Sequence, residues 1–96
     1  MATFISLMNF TDQGLRNVKE SPDRAEAARA RNEKLGVTWR GFWYTLGLYD
    51  MVVVGEGTEE ACLSADLKGL MAGNVRTHTL RAYTIDEMRR FLKNAV

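Results

Sequence analysis

VTWRGFWYTLGLYDMVVVGEG, residues Val37 to Gly57, decides how this chain folds. Val37 to Leu46 and Met51 to Gly55 are rich in Val, Thr, Trp, Phe and Tyr, which suit a pleated, half-buried surface. Only Gly47, Leu48, Tyr49 and Asp50 separate them, a connection too short for anything but an antiparallel neighbour. The stretch reads as a β-hairpin that the rest of the chain covers. A four-residue loop puts Leu46 opposite Met51, Tyr44 opposite Val53 and Trp43 opposite Val54. Strict alternation then sets Val37, Trp39, Gly41, Trp43 and Thr45 on one face, with Thr38, Arg40, Phe42, Tyr44 and Leu46 on the other. Aromatic residues on both faces predict that both are covered.

Upstream, Thr3 to Phe10 carries bulk on both sides, as an interior strand does. Thr11 and Asp12 offer an N-cap for one or two helical turns that Gly14 weakens. Ser21 as cap, with Pro22 at the first helical position, starts a longer helix that runs to Leu35 and stops at Gly36. Ala25, Ala28 and Leu35 share a face with Asn32, and that small-residue face permits close approach to a sheet. Downstream, Thr58 opens a second helix on which Leu63, Leu67 and Leu70 form an apolar stripe flanked by Met71. Gly73 and Asn74 turn the chain into a fourth strand, Val75 to Tyr83, polar enough for a sheet edge or a wet inner face. Thr84 and Glu87 make a capping box for a last helix with Ile85, Met88, Leu92 and Ala95 on one side. The order is that of an α+β chain of the ferredoxin-like type, a split β-α-β pattern with a four-stranded antiparallel sheet and an added C-terminal helix.

At 96 residues the chain reads as one domain, 1–96. A domain of this size buries only about two-thirds of its unfolded surface, so self-association is expected to add burial. A hydrophobic share of 46% against 26% charged is ordinary for a globular chain and argues against disorder. No apolar run approaches the roughly 20 residues of a membrane helix. Met1 to Phe10 has neither a basic leader nor a small-residue cleavage site, so the expected location is the cytoplasm. A net charge of +1 makes nucleic acid an unlikely partner. Arg89, Arg90 and Lys93 are explained by the last helix's C-terminus. Cys62 is the only cysteine, which excludes an intrachain disulfide and a paired-thiolate metal site, and it reads as a buried structural thiol. His78 is the only histidine, so no metal site is expected, nor any cofactor.

Gly47, Tyr49 and Asp50, with Leu7, Asn9, Phe10 and Thr11 near the start and Gly73, Asn74, Val75, Arg76, Thr77, Leu80 and Arg81 near the end, resemble the GYD domain family of small bacterial proteins. The resemblance spans essentially the whole chain. It implies a ferredoxin-like subunit that pairs through its open sheet face, the arrangement called a dimeric α/β barrel. The hairpin is also similar to one in the ligand-sensing domains of leucine-responsive transcription regulators, which bind small metabolites at subunit contacts.

Two candidate sites follow. In the split pattern the first and third strands are expected to run parallel, so the hairpin turn shares an end of the sheet with Thr3 and with the exit of the fourth strand at Arg81 and Tyr83. Tyr49, Asp50 and Arg81 would then meet as the floor of a pocket for an acidic ligand. The plainer reading has Asp50 serving turn amides and Tyr49 packing its ring. The opposite end would collect Asn9, Thr11, Glu56 and Arg76, able to receive an anion, although capping explains Thr11 as well. Trp39, Phe42, Trp43 and Tyr44 form a dimer core more readily than a platform for bases. The function expected is a non-catalytic homo-oligomeric binding module, sensing a small acidic or aromatic metabolite at the subunit contact. The alternative is a cofactor-independent barrel enzyme of oxygenase or isomerase type, with His78, Arg81 and Tyr49 as its catalytic groups.

Overall fold

A computed structural model describes residues 1–95. It contains β1 (Ala2–Phe10), α1 (Asp12–Arg16), a 3₁₀ turn (Val18–Glu20), α2 (Ser21–Lys34), β2 (Thr38–Tyr44), β3 (Met51–Gly57), α3 (Glu59–Met71), β4 (Val75–Ala82) and α4 (Ile85–Ala95). The four strands make one antiparallel sheet in the order β2-β3-β1-β4, compatible with the ferredoxin-like pattern. Helix α2 packs on β2, and α3 on β3 and β4. No helix among the described residues is long and apolar enough to cross a membrane.

The expected parallel run of the first and third strands is overturned. β1 and β3 are antiparallel neighbours, with Met8 opposite Met51 and Ala2 opposite Gly57. The reason is topological. The crossover through α2 makes β2 parallel to β1, and β3, hairpinned to β2 and inserted between the two, opposes both. The hairpin turn therefore lies at the end of the sheet where β1 finishes and β4 begins.

The hairpin register also differs from the four-residue-loop estimate. Tyr44 faces Met51, Trp43 faces Val52 and Phe42 faces Val53. The loop is longer, closed by the Thr45 amide donating to the Asp50 carbonyl at 2.8 Å and by the Thr45 hydroxyl donating to the Tyr49 carbonyl. The shift is two positions, so Phe42, Trp43 and Tyr44 keep their faces. Further back alternation breaks. The ladder skips from Trp39 opposite Gly55 to Gly41 opposite Val54, leaving Arg40 as the extra residue of a bulge. Val37 and Trp39 thus join Phe42 and Tyr44 under the helices. Trp39 stacks on Phe42 at 5.4 Å, and Trp43 lies across Gly41 on the open face.

Capping follows the sequence closely. Thr11 Oγ1 accepts from the Gly14 amide at 3.1 Å, and Thr58 Oγ1 from the Ala61 amide at 3.1 Å. Thr84 and Glu87 exchange reciprocal bonds of 2.9 and 3.0 Å. Helix α2 departs from expectation: Ser21 lies inside the helix and its hydroxyl meets the Tyr44 hydroxyl at 2.9 Å. Gly14 is explained by space, since a Cβ there would sit 2.0 Å from the Asn74 carbonyl oxygen.

Val37, Cys62 and Ala65 form the buried core, with Phe4, Leu35, Trp39 and Ala61 packed against it. Helix α3 therefore turns small residues inward. Its leucine stripe faces the other way, with Leu63 62% and Met71 84% exposed. Helix α4 contributes no buried residue and stands off the body, consistent with principal extents of 51 × 31 × 19 Å.

Candidate functional site

The turn end of the sheet brings together residues that the sequence assigned to opposite ends. Gly47, at φ 109°, lets the loop reverse, and Asp50 then fastens it to β1. Its amide donates to the Met8 carbonyl at 2.9 Å, while its carboxylate Oδ2 accepts from the Phe10 amide at 2.9 Å. Asp50 is thus engaged in holding the hairpin to the neighbouring strand. Thr11 is engaged too, donating to the Gly73 carbonyl at 2.6 Å while it caps α1. Asn9 and Arg76 face each other across β1 and β4 on the open side of the sheet. On that side Tyr49 Oη lies 3.3 Å from His78 Nδ1, with the rings edge to face at 5.8 Å. Asn9, Tyr49, Arg76 and His78 therefore form a polar corner at the rim of the open face.

Arg81 is not part of it. It stands opposite Phe4 at the other end of β1. Its guanidinium lies 5.6 Å from the Phe4 ring and 4.4 Å from the Tyr83 ring, and donates to the Thr3 carbonyl at 3.3 Å and to the Ala82 carbonyl. The expected meeting of Tyr49, Asp50 and Arg81 fails because it depended on the parallel pairing. Glu56 is likewise at that far end, opposite Thr3 and paired with Arg40 at 3.1 Å.

The sequence reading missed a cavity. Between α2 and α3, above the sheet, lies a half-open hollow of about 510 Å³. Its floor is made by Met8, Phe42, Met51 and Val53; α2 contributes Arg24, Ala28 and Arg31 to its walls, and α3 contributes Ala65, Asp66 and Gly69. The Arg31 Nε is buried without an acceptor. Asn32 fits best with its amide nitrogen 3.3 Å from the Ala28 carbonyl and its oxygen accepting from Trp39 Nε1 at 3.1 Å. Asp66 accepts from the Thr79 hydroxyl at 3.0 Å, and that hydroxyl also lies 3.3 Å from the buried Ser6 hydroxyl. Burial pushes the Asp66 carboxyl above the usual carboxylate range, against the opposing pull of the Thr79 bond. A signal was present in the sequence. The inward faces of both helices carry Ala and Gly, too small to fill the space between them, interrupted by Arg31 and Asp66.

The uncovered surfaces are apolar. Ile5, Leu7, Val52, Val54, Trp43 and Leu80 share the open face, with Trp43 54% and Leu80 51% exposed. The expectation that both faces are covered is not met within one chain. Ile85, Met88 and Leu92 on α4 and the α3 leucine stripe are exposed as well.

Residues 4–92 match the model of the GYD domain. A protein of Thermus thermophilus named glutamine synthetase and cystathionine beta-lyase binding protein is 32% identical over 95 residues, covering 97% of this chain and 100% of that protein. No solved structure matches the chain significantly.

Proposed function

The chain belongs to the GYD domain family, and from that premise we propose that it is a non-catalytic binding module that pairs with a second copy and docks onto other proteins. The observation that carries this reading is the exposed apolar area on two sides of one small chain. Soluble monomers rarely leave contiguous apolar patches of more than a few hundred Å² in water. The open face, with Ile5, Leu7, Val52 and Val54 on its central strands and Trp43 and Leu80 on its edge strands, suits closure against a second sheet as a dimeric α/β barrel. The stripe of Leu63, Leu67 and Met71 lies on α3, on the helix-covered side, and stays free for a different protein when the sheets pair. The name of the relative makes glutamine synthetase and cystathionine β-lyase the first proteins to try.

Sedimentation and binding measurements test both halves. The purified chain should sediment as a dimer at micromolar concentration, and Leu80→Asp should return it to a monomer with an intact far-ultraviolet spectrum. Leu67→Lys should leave the dimer intact and abolish capture of the partner enzymes from the same organism. A monomeric wild type that binds neither enzyme would end the proposal.

A second reading rests on the Tyr49–His78 contact. With Asn9 and Arg76 it gives the pairing face a polar corner suited to a small acidic or aromatic metabolite at the subunit contact. The same corner lacks Arg81, which weakens the enzyme alternative built on Tyr49, His78 and Arg81 acting together.

A further inference from the structure

We propose that the hollow between α2 and α3 is a binding site for a small aromatic monoacid, its ring on the floor of Met8, Phe42, Met51 and Val53 and its carboxylate on Arg31. The inference goes beyond protein docking and does not rest on it, because the hollow opens on the opposite side of the sheet from the pairing face. Three observations converge. The volume, about 510 Å³, is that of a small-molecule site and not of a packing defect. The floor is apolar, with two flexible thioethers and an aromatic ring, a surface on which ordered water finds few partners and a flat ring finds many. On the wall, the Arg31 Nε is buried with no acceptor. Buried donors are almost always paired, and a guanidinium left open beside an apolar slot is complementary to a carboxylate.

The charge of the ligand follows from both walls. Arg24, also on α2, is occupied by the Asn17 carbonyl at 2.8 Å, whereas Arg31, the other cation among the described lining residues, makes only a 3.4 Å contact from one Nη to the Asn32 side-chain amide and leaves its Nε without an acceptor. Asp66 on α3 opposes a second carboxylate, while it and the Ser6 and Thr77 hydroxyls can receive a hydroxyl group. An aromatic acid with a hydroxyl away from its carboxylate therefore engages Arg31 at one end and Asp66 with the Ser6 and Thr77 hydroxyls at the other. The narrow strip of Ala and Gly on both helices keeps the slot open.

Fluorescence titration with 6-hydroxy-2-naphthoate at neutral pH tests this directly, with neutral 2-naphthol as the control. The naphthoate should bind once per chain, and at least roughly tenfold more tightly than 2-naphthol, as an added charge-assisted pair implies. Arg31→Gln should erase that difference and leave 2-naphthol binding unchanged. Ala28→Leu, which fills the slot, should abolish binding of both. Melting curves establish that each variant is folded. The proposal is overturned if folded wild type shows no saturable binding of the naphthoate up to about 1 mM. Naphthoate affinity unmoved by both Arg31→Gln and Ala28→Leu would overturn it equally.

Discussion

Under the helices, the two ends of the sheet follow the same alternation of residues, yet one end is filled and the other is hollow. Near the end of β3, Val37, Cys62 and Ala65 close on Phe4 and Trp39. Near its start, Met8, Phe42, Met51 and Val53 face a gap of about 510 Å³. The difference lies in the helices and not in the strands. At the filled end the bulk of Trp39 and Phe4 rises from the sheet to meet Cys62 and Ala65. At the hollow end Ala25, Ala28, Gly69 and Ala72 add almost no volume, so the space between the helix axes stays open.

The largest test of this contrast is a pair of truncations. Val37→Ala should cost about 2–3 kcal/mol, read from the urea midpoint, because its neighbours cannot close the void. Val53→Ala should cost roughly half as much, since a residue already beside open space loses fewer contacts. Equal costs would break the comparison. The converse pair comes next. Cys62→Leu should destabilise by about 2 kcal/mol through overpacking, whereas Ala28→Leu should be neutral or stabilise by about 0.5 kcal/mol. An Ala28→Leu penalty as large as that of Cys62→Leu would mean that the gap is closed in solution.

A chemical probe separates the ends more finely. Burial pushes the Cys62 thiol up, the nearby Asp66 charge adds to this, and Arg81 opposes it in part. Alkylation by iodoacetamide should be at least about a hundredfold slower in the folded chain than in urea, by intact mass. The smallest effect concerns Asp66. An acid raised by burial holds its proton more tightly folded than unfolded. The folded state is therefore favoured at low pH and loses that contribution as pH rises through the raised value. Asp66→Asn keeps an acceptor for Thr79. It should raise the melting temperature at pH 7 by about 2 °C, a modest gain because the group is only half-buried, and by nothing near pH 3.

Strand composition, caps and turn glycines made the element order readable from the sequence. Thr11, Thr58 and the Thr84–Glu87 box cap as their types require, and Gly36, Gly47 and Gly73 all have positive φ. What was not readable depended on contacts between distant residues. Strand direction relative to β1 follows from the crossover and not from any local residue, which is why Arg81, expected beside Tyr49, lies opposite Phe4 at the other end of the sheet. The α3 leucines look like a core stripe, but the sheet beneath already carries Phe4 and Trp39, so the small face of the helix fits there and the large face is left outside. The cavity was invisible for the same reason, since absent volume has no side chain to announce it.

The bulge at Arg40 has a consequence for how this hairpin tolerates length changes. The segment from Val37 to Tyr44 holds one residue more than its ladder uses. Excising Arg40 would leave Val37, Trp39, Phe42 and Tyr44 on the helix side and Thr38, Gly41 and Trp43 on the other, in uninterrupted alternation. Most single deletions within a strand invert everything beyond them, whereas this one would sacrifice only an ion pair and some local coiling.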